Sequence, residues 1–196
     1  MTWQMGSLAE AGIDAAAIAK LEKAIEDEVF LQMQSVVIVR SGKLVYEKYF
    51  QGTDADHQHN VRSASKSITS TAIGIAIDKG LIAGVDELVF PYFEKVYAGF
   101  KNWEDEEKHG LTIRDLLTMS WCLECDDWNE FSRGNEERMY LVKDWVKFTL
   151  DLPVRGVRWE PSMGDQSPIY DYSYCTGGIV VLGALIEQAT GRTFEE

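Results

Sequence analysis

The chain has 196 residues, 45% hydrophobic and 26% charged, a globular mix that excludes collagen-like, low-complexity and wholly disordered chains. Its 19 Lys+Arg against 32 Asp+Glu leave a formal charge of −13. Such a surface repels phosphate backbones and anionic lipid, which sets nucleic-acid and membrane-surface roles aside. The longest apolar run, Ile179 to Ile186, is far short of the ~20 residues of a membrane span. Met1-Thr2-Trp3-Gln4-Met5 shows no basic region followed by an apolar one, so no signal peptide is expected. A cytoplasmic chain and an exported one without its leader would both read this way, and the compartment stays open. Cys122, Cys125 and Cys175 are an odd, low count, which predicts no disulfide framework and favours a reducing compartment or indifference to one.

In chain order, the first predicted element is a helix capped by Asp14, with Ile18, Leu21, Ile25 and Val29 on one face. Two β-rich runs, Ser35–Arg40 and Lys43–Phe50, flank Ser41-Gly42 and read as an antiparallel hairpin. The first run is nearly all apolar, which predicts burial on both faces. A helix from Ser63 to Lys79, stopped by Gly80, is apolar nearly all round and reads as central to the fold. Thr112–Met119 is a short helix, and Glu137–Leu150 reads as one longer helix. Residues 104–137 hold eleven acidic and three basic side chains, which reads as a solvated face. The last helix spans Gly177–Thr190 and stops at Gly191. Thr193 and Glu196 then form the opening of a capping box for another helix.

Ser63-Ala64-Ser65-Lys66 carries the Ser-x-x-Lys spacing. Three residues are nearly one helical turn, so both side chains share a face. The helix amino terminus places positive potential where an oxyanion would develop, and a lysine on an apolar helix is a ready proton acceptor. Ser-x-x-Lys arises about once by chance in a chain this long, so its weight comes from its place at the head of the most apolar helix. The chemistry also needs a proton-exchanging Tyr, and Tyr172 and Tyr174 are the candidates. Cys122-x-x-Cys125 lacks the second pair of a zinc site, and His57 and His59 read as solvated loop residues. Of the tryptophans, Trp103, Trp121, Trp128, Trp145 and Trp159 read as core or groove lining.

Val61 to Ser70, followed by Gly74 to Ile82, resembles the nucleophile helix of the serine β-lactamase-like superfamily. That group holds class C β-lactamases, D-alanyl-D-alanine carboxypeptidases, β-lactamase-fold esterases and 6-aminohexanoate-dimer hydrolases. Ser35–Phe50 is similar to its opening hairpin, Leu111–Ser120 to its T-I-R-x-L-L-T-M segment, and Tyr174–Gly183 to its Tyr-x-Asn segment and following helix. The glycine spacing selects Tyr174 over Tyr172. Two departures stand out: Tyr174-Cys175-Thr176 replaces the amide by a hydroxyl, and Cys122 stands where a tight-turn Gly is expected.

The resemblance implies an α+β fold, an antiparallel sheet flanked by helices with a largely helical region. It would be laid out as a helix plus hairpin (1–60), a nucleophile helix and helical region (61–176) and a return helix (177–196). It implies a serine hydrolase in which Ser63 forms an acyl-enzyme and Lys66 and Tyr174 exchange its proton, with Thr176 a weaker substrate contact. Neither metal nor organic cofactor is required. The expected substrate is a small ester, amide or β-lactam, with esters foremost. The family's third motif, Lys-Thr-Gly or His-x-Gly on a late strand, would lie beyond residue 196, so the chain reads as the amino-terminal part of a larger domain. The alternative is a scaffold without turnover. Unpaired strand edges predict self-association.

Overall fold

In the computed structural model, which describes residues 3–155 and 172–195, Asp14 accepts a hydrogen bond from the Ala16 N–H and starts α1 (Ala15–Glu26). Ile18 and Ile25 are its buried positions, whereas Val29 falls beyond the helix and is exposed. The strands β2 (Ser35–Arg40) and β3 (Lys43–Tyr49) pair antiparallel around Ser41-Gly42. Both turn residues have positive φ, +50° and +75°, the geometry that matches a two-residue turn to strand twist. The register shifts between Ile38 and Val39.

Two expectations for this unit fail. Val37 and Val39 are exposed rather than buried, because alternation sends them to the face opposite the half-buried Val36 and Ile38. A further strand, β1 (Gln4–Met5), pairs parallel with the start of β3, giving the order β1-β3-β2 and a mixed rather than purely antiparallel sheet. The edge of β3 predicted to be open is therefore covered at Lys43 and Leu44. Glu22 on α1 accepts from Tyr46 and Lys48 on β3, fastening helix to sheet.

Residues 1–60 and 61–196 form separate units. In the second, α2 (Ala64–Asp78) is followed by a 3-10 turn at Phe90–Tyr92, then α3 (Glu106–His109) and α4 (Ile113–Thr118). Thr112 and Asp115 close a capping box on α4. The helix expected over 137–150 is two pieces, α5 (Glu136–Met139) and α6 (Trp145–Leu150). The break has a local cause: Asp144 accepts from the Lys147 N–H and starts a new helix where the first one ends. The last helix is α7 (Thr176–Thr190), ended by Gly191 at φ +67°. Glu196, the far member of the predicted capping box, lies outside the described residues.

The core of this unit is built on α7, whose Val181, Leu182 and Leu185 are wholly buried against α2, α4 and α6. Its first turn sits against α6 so closely that a Cβ on Gly177 would stand 2.6 Å from Thr149 Oγ1. The expectation of a central α2 needs correction: Thr69, Ile73 and Ala76 are buried, but Ile68 and Ile75 are half exposed or more. Only the face turned to α7 is packed, so the sequence's all-round apolarity outruns the contacts the described residues make.

The acidic run 104–137 is not uniformly solvated either. Lys108 is completely buried and donates to the carbonyls of Lys101, Leu150 and Leu152 at 2.7, 2.8 and 2.9 Å. Burial lowers its pKa.

Candidate active site

Ser63 is the N-cap of α2, yet its hydroxyl makes no capping hydrogen bond. Capping is done around it. The N–H groups of Ala64, Ser65 and Lys66 donate to the carbonyls of Val61, Arg62 and Ser63, and the Ser65 hydroxyl donates to the Arg62 carbonyl. Arg62 takes φ +48°, a left-handed conformation that a non-glycine residue adopts at some cost. This turn leaves Ser63 Oγ free of the helix backbone and exposed. It also occupies the next three amides, so an oxyanion at this helix head depends on the N–H of Ser63 itself.

Two side chains reach that oxygen. Lys66 Nζ donates to Ser63 Oγ at 3.2 Å from one turn along the same helix. The Tyr174 hydroxyl donates to it at 2.7 Å from 111 residues away in sequence. Lys66 Nζ also stands 5.1 Å from the centroid of the Tyr174 ring. Three of the four residues singled out from sequence are thus mutually adjacent. Tyr172, the competing tyrosine, is exposed at 67%, and the Ser63 hydroxyl is bonded by Tyr174. The fourth residue, Thr176, spends its polar groups elsewhere: its N–H donates to Asp127 at 2.7 Å and its hydroxyl to Glu136 at 3.1 Å.

Tyr174 is held by the strap 173–176, which is anchored on either side of the ring by backbone and side-chain bonds. Ser173 N–H donates to the Met119 carbonyl at 2.9 Å, and its hydroxyl to the Cys125 carbonyl at 2.6 Å. The Tyr174 carbonyl accepts from the Asp127 N–H at 2.8 Å. Cys175 forms a disulfide with Cys125. That bond corrects the expectation from the cysteine count: a separation of 50 residues hides the pairing, and the fold brings the start of α7 onto the 119–127 loop. Cys122 is left free and buried, its thiol pushed up to about 11 by burial. The Cys122-x-x-Cys125 spacing is therefore not a ligand pair. Cys125, Asp127 and Cys175 do cluster within 4.8 Å, but the sulfurs are joined to each other. Cys122 stands outside the left-handed region expected of a tight-turn Gly there; Met119 enters that region instead, at φ +53°.

Asp127 was not legible as a site residue, since it lies in a run that reads as solvated. Its Oδ2 accepts from Thr176 N–H and its Oδ1 from Glu136 N–H at 3.0 Å, so one carboxylate caps both α7 and α5. α7 begins at Cys175 with no side-chain cap of its own, and a carboxylate there also complements the helix dipole. Burial raises the Asp127 pKa, and the nearby Glu136 adds to that, against the lowering effect of the two N–H bonds. The available signal was an acidic pair, Asp126-Asp127, directly after Cys125, in a chain whose helix α7 opens on Cys175 with no side-chain cap of its own.

The profile of the Beta-lactamase family matches residues 21–196. The chain belongs to the Beta-lactamase family. Solved structures share the fold. A protein of Bacteroides dorei DSM 17855 named as a beta-lactamase aligns at TM-score 0.63 and 16% identity, over 92% of this chain and 48% of its own. A Bacillus anthracis protein named as a 6-aminohexanoate-dimer hydrolase gives 0.57 and 20%, over 90% and 44%. FmtA from Staphylococcus aureus gives 0.57 and 16%, over 99% and 47%. The chain spans less than half the length of each of these structures. At such identities the likeness concerns the fold, which is the α+β fold of the serine β-lactamase-like superfamily.

Proposed function

We propose that this Beta-lactamase family chain carries the acyl-transfer centre of a serine hydrolase, with Ser63 as nucleophile. One observation carries the reading: Ser63 Oγ lies within hydrogen-bond distance of both Lys66 and Tyr174, the arrangement an activated serine requires. Ser63 Oγ attacks the carbonyl carbon while its proton passes to the Lys66–Tyr174 pair, one of which must be deprotonated. The oxyanion forms at the Ser63 N–H. As the tetrahedral adduct collapses, Tyr174 returns the proton to the departing atom, and an acyl-Ser63 ester remains. Water then attacks that ester with the same groups in reverse.

Esters are the first substrate class, ahead of the amides and β-lactams that the names of the structural neighbours point to. Thr176, at the position of the family's Asn, is engaged with Asp127 and Glu136, which supports a centre that does without an amide contact there. A fluorophosphonate or penicillin probe tests the nucleophile: labelling is expected, and labelling that persists equally in Ser63→Ala overturns it. The second reading is a scaffold without turnover, favoured by the helix-head amides of Ala64, Ser65 and Lys66 being already engaged by the carbonyls of Val61, Arg62 and Ser63. Hydrolysis of p-nitrophenyl butyrate by the 196-residue chain, abolished in Lys66→Ala, counts against it.

A further inference from the structure

Trp128 is 82% exposed, and its ring centroid lies 5.8 Å from that of Tyr174, tilted by 45°. On the same loop Phe131 is 87% exposed. An indole held in water is an apolar surface without cover, and here nothing in the loop's own architecture requires it. The loop is shaped by polar anchors. Buried Ser132 accepts from the Asp126 N–H at 3.1 Å, and buried Asn135 donates to the carbonyls of Asp127 and Asn129 at 3.1 and 3.2 Å. The Trp128 N–H itself is taken by the Asp126 carboxylate at 2.9 Å. The backbone carrying the indole is thus fixed, while the indole is presented outward beside the tyrosine.

We propose that Trp128 is the specificity wall for the leaving group. It selects esters or amides whose departing alcohol or amine bears an aryl or medium-chain alkyl substituent. The proposal rests on the Ser63–Lys66–Tyr174 reading above. The departing atom takes its proton from the Tyr174 hydroxyl and so leaves from within hydrogen-bond reach of it. Its substituent is then the part of the substrate nearest the ring that flanks Tyr174. An aromatic face there lowers the barrier to acylation for an apolar leaving group, and is irrelevant once that group has gone.

The test uses the whole chain and two butyrate esters, methyl and benzyl, that share one acyl-enzyme. In Trp128→Ala, kcat/KM for benzyl butyrate is expected to fall about tenfold relative to methyl butyrate. Hydrolysis of the acyl-enzyme, followed after a single turnover, should keep its wild-type rate, and Trp128→Phe should recover most of the preference. An unchanged benzyl-to-methyl ratio in Trp128→Ala, with Ser63→Ala inactive, overturns the wall and spares the nucleophile. Equal loss with both esters, or a slowed deacylation, also overturns it. If Ser63→Ala hydrolyses both esters like the wild type, or the wild type hydrolyses neither, the underlying reading falls and this one with it.

Discussion

Replacing Asp127 separates its two capping bonds from its charge. In Asp127→Ala the N–H groups of Thr176 and Glu136 lose acceptors at 2.7 and 3.0 Å. A lost helix cap costs about 1 kcal/mol, so two predict about 2 kcal/mol, reduced somewhat because the half-buried carboxylate was itself desolvated. In Asp127→Asn one amide oxygen retains one bond and the NH2 faces the other N–H, predicting a loss of about 1 kcal/mol. The pH dependence gives the sharper test. Burial holds the folded-state pKa of Asp127 above its ordinary value, so the folded chain binds this proton more tightly than the unfolded one. Its contribution is therefore most favourable at low pH and declines as pH rises from the ordinary carboxylate range through the raised value. Asp127→Asn removes that decline, and the wild-type advantage over it should shrink as pH increases. Urea midpoints of both proteins from about pH 4 to pH 7 measure this. Parallel curves, or an advantage that grows with pH, refute a desolvated carboxylate at the head of α7.

Three further outcomes are expected. Lys108→Met leaves three carbonyls without their donor in a fully buried site and should cost about 3–5 kcal/mol in urea unfolding; a loss under 1 kcal/mol would show those carbonyls rehydrated. The Cys125–Cys175 bond closes a separation of 50 residues, worth about 4 kcal/mol on the chain-entropy relation. One titratable thiol in the unreduced, denatured chain and three after reduction, with a matching drop in urea midpoint, would establish it. Gly177→Ala puts a Cβ 2.6 Å from Thr149 Oγ1 and should destabilise by about 1–3 kcal/mol, mostly restored in the double variant with Thr149→Ala; additive losses would contradict that contact.

What the sequence made legible was local. Asp14, the Ser41-Gly42 turn, the body of α2 and the end of α7 at Gly191 each follow from residues within one turn of one another. So does the pairing of Ser63 with Lys66, which needs only helical spacing. β1 escaped notice because two residues carry no alternation, and its parallel pairing with Lys43 and Leu44 depends on tertiary geometry. The long helix over 137–150 failed because apolar content concealed Asp144, a residue that starts a helix better than it continues one. Tyr174 came from family resemblance; no periodicity connects it to Ser63 across 111 residues.

The supporting groups around Tyr174 were hidden for a shared physical reason: their chemistry is set by burial and by partners distant in sequence. Asp126 and Asp127 are identical neighbours in the sequence. The first caps a surface turn through the Trp128 N–H; the second is half-buried beneath two helix starts. Cys122 and Cys125 are likewise three residues apart, one a free buried thiol and the other bonded to Cys175. In both cases chain direction through a tight loop, from Met119 at positive φ to the Asn135 anchor, decides which side chain faces α7. The loop thus does more than connect α4 to α5. It fixes the backbone of Tyr174 from beneath and carries Trp128 on its outer surface, so replacements within it should displace the Tyr174 hydroxyl from Ser63 while leaving the Ser63–Lys66 turn of α2 intact.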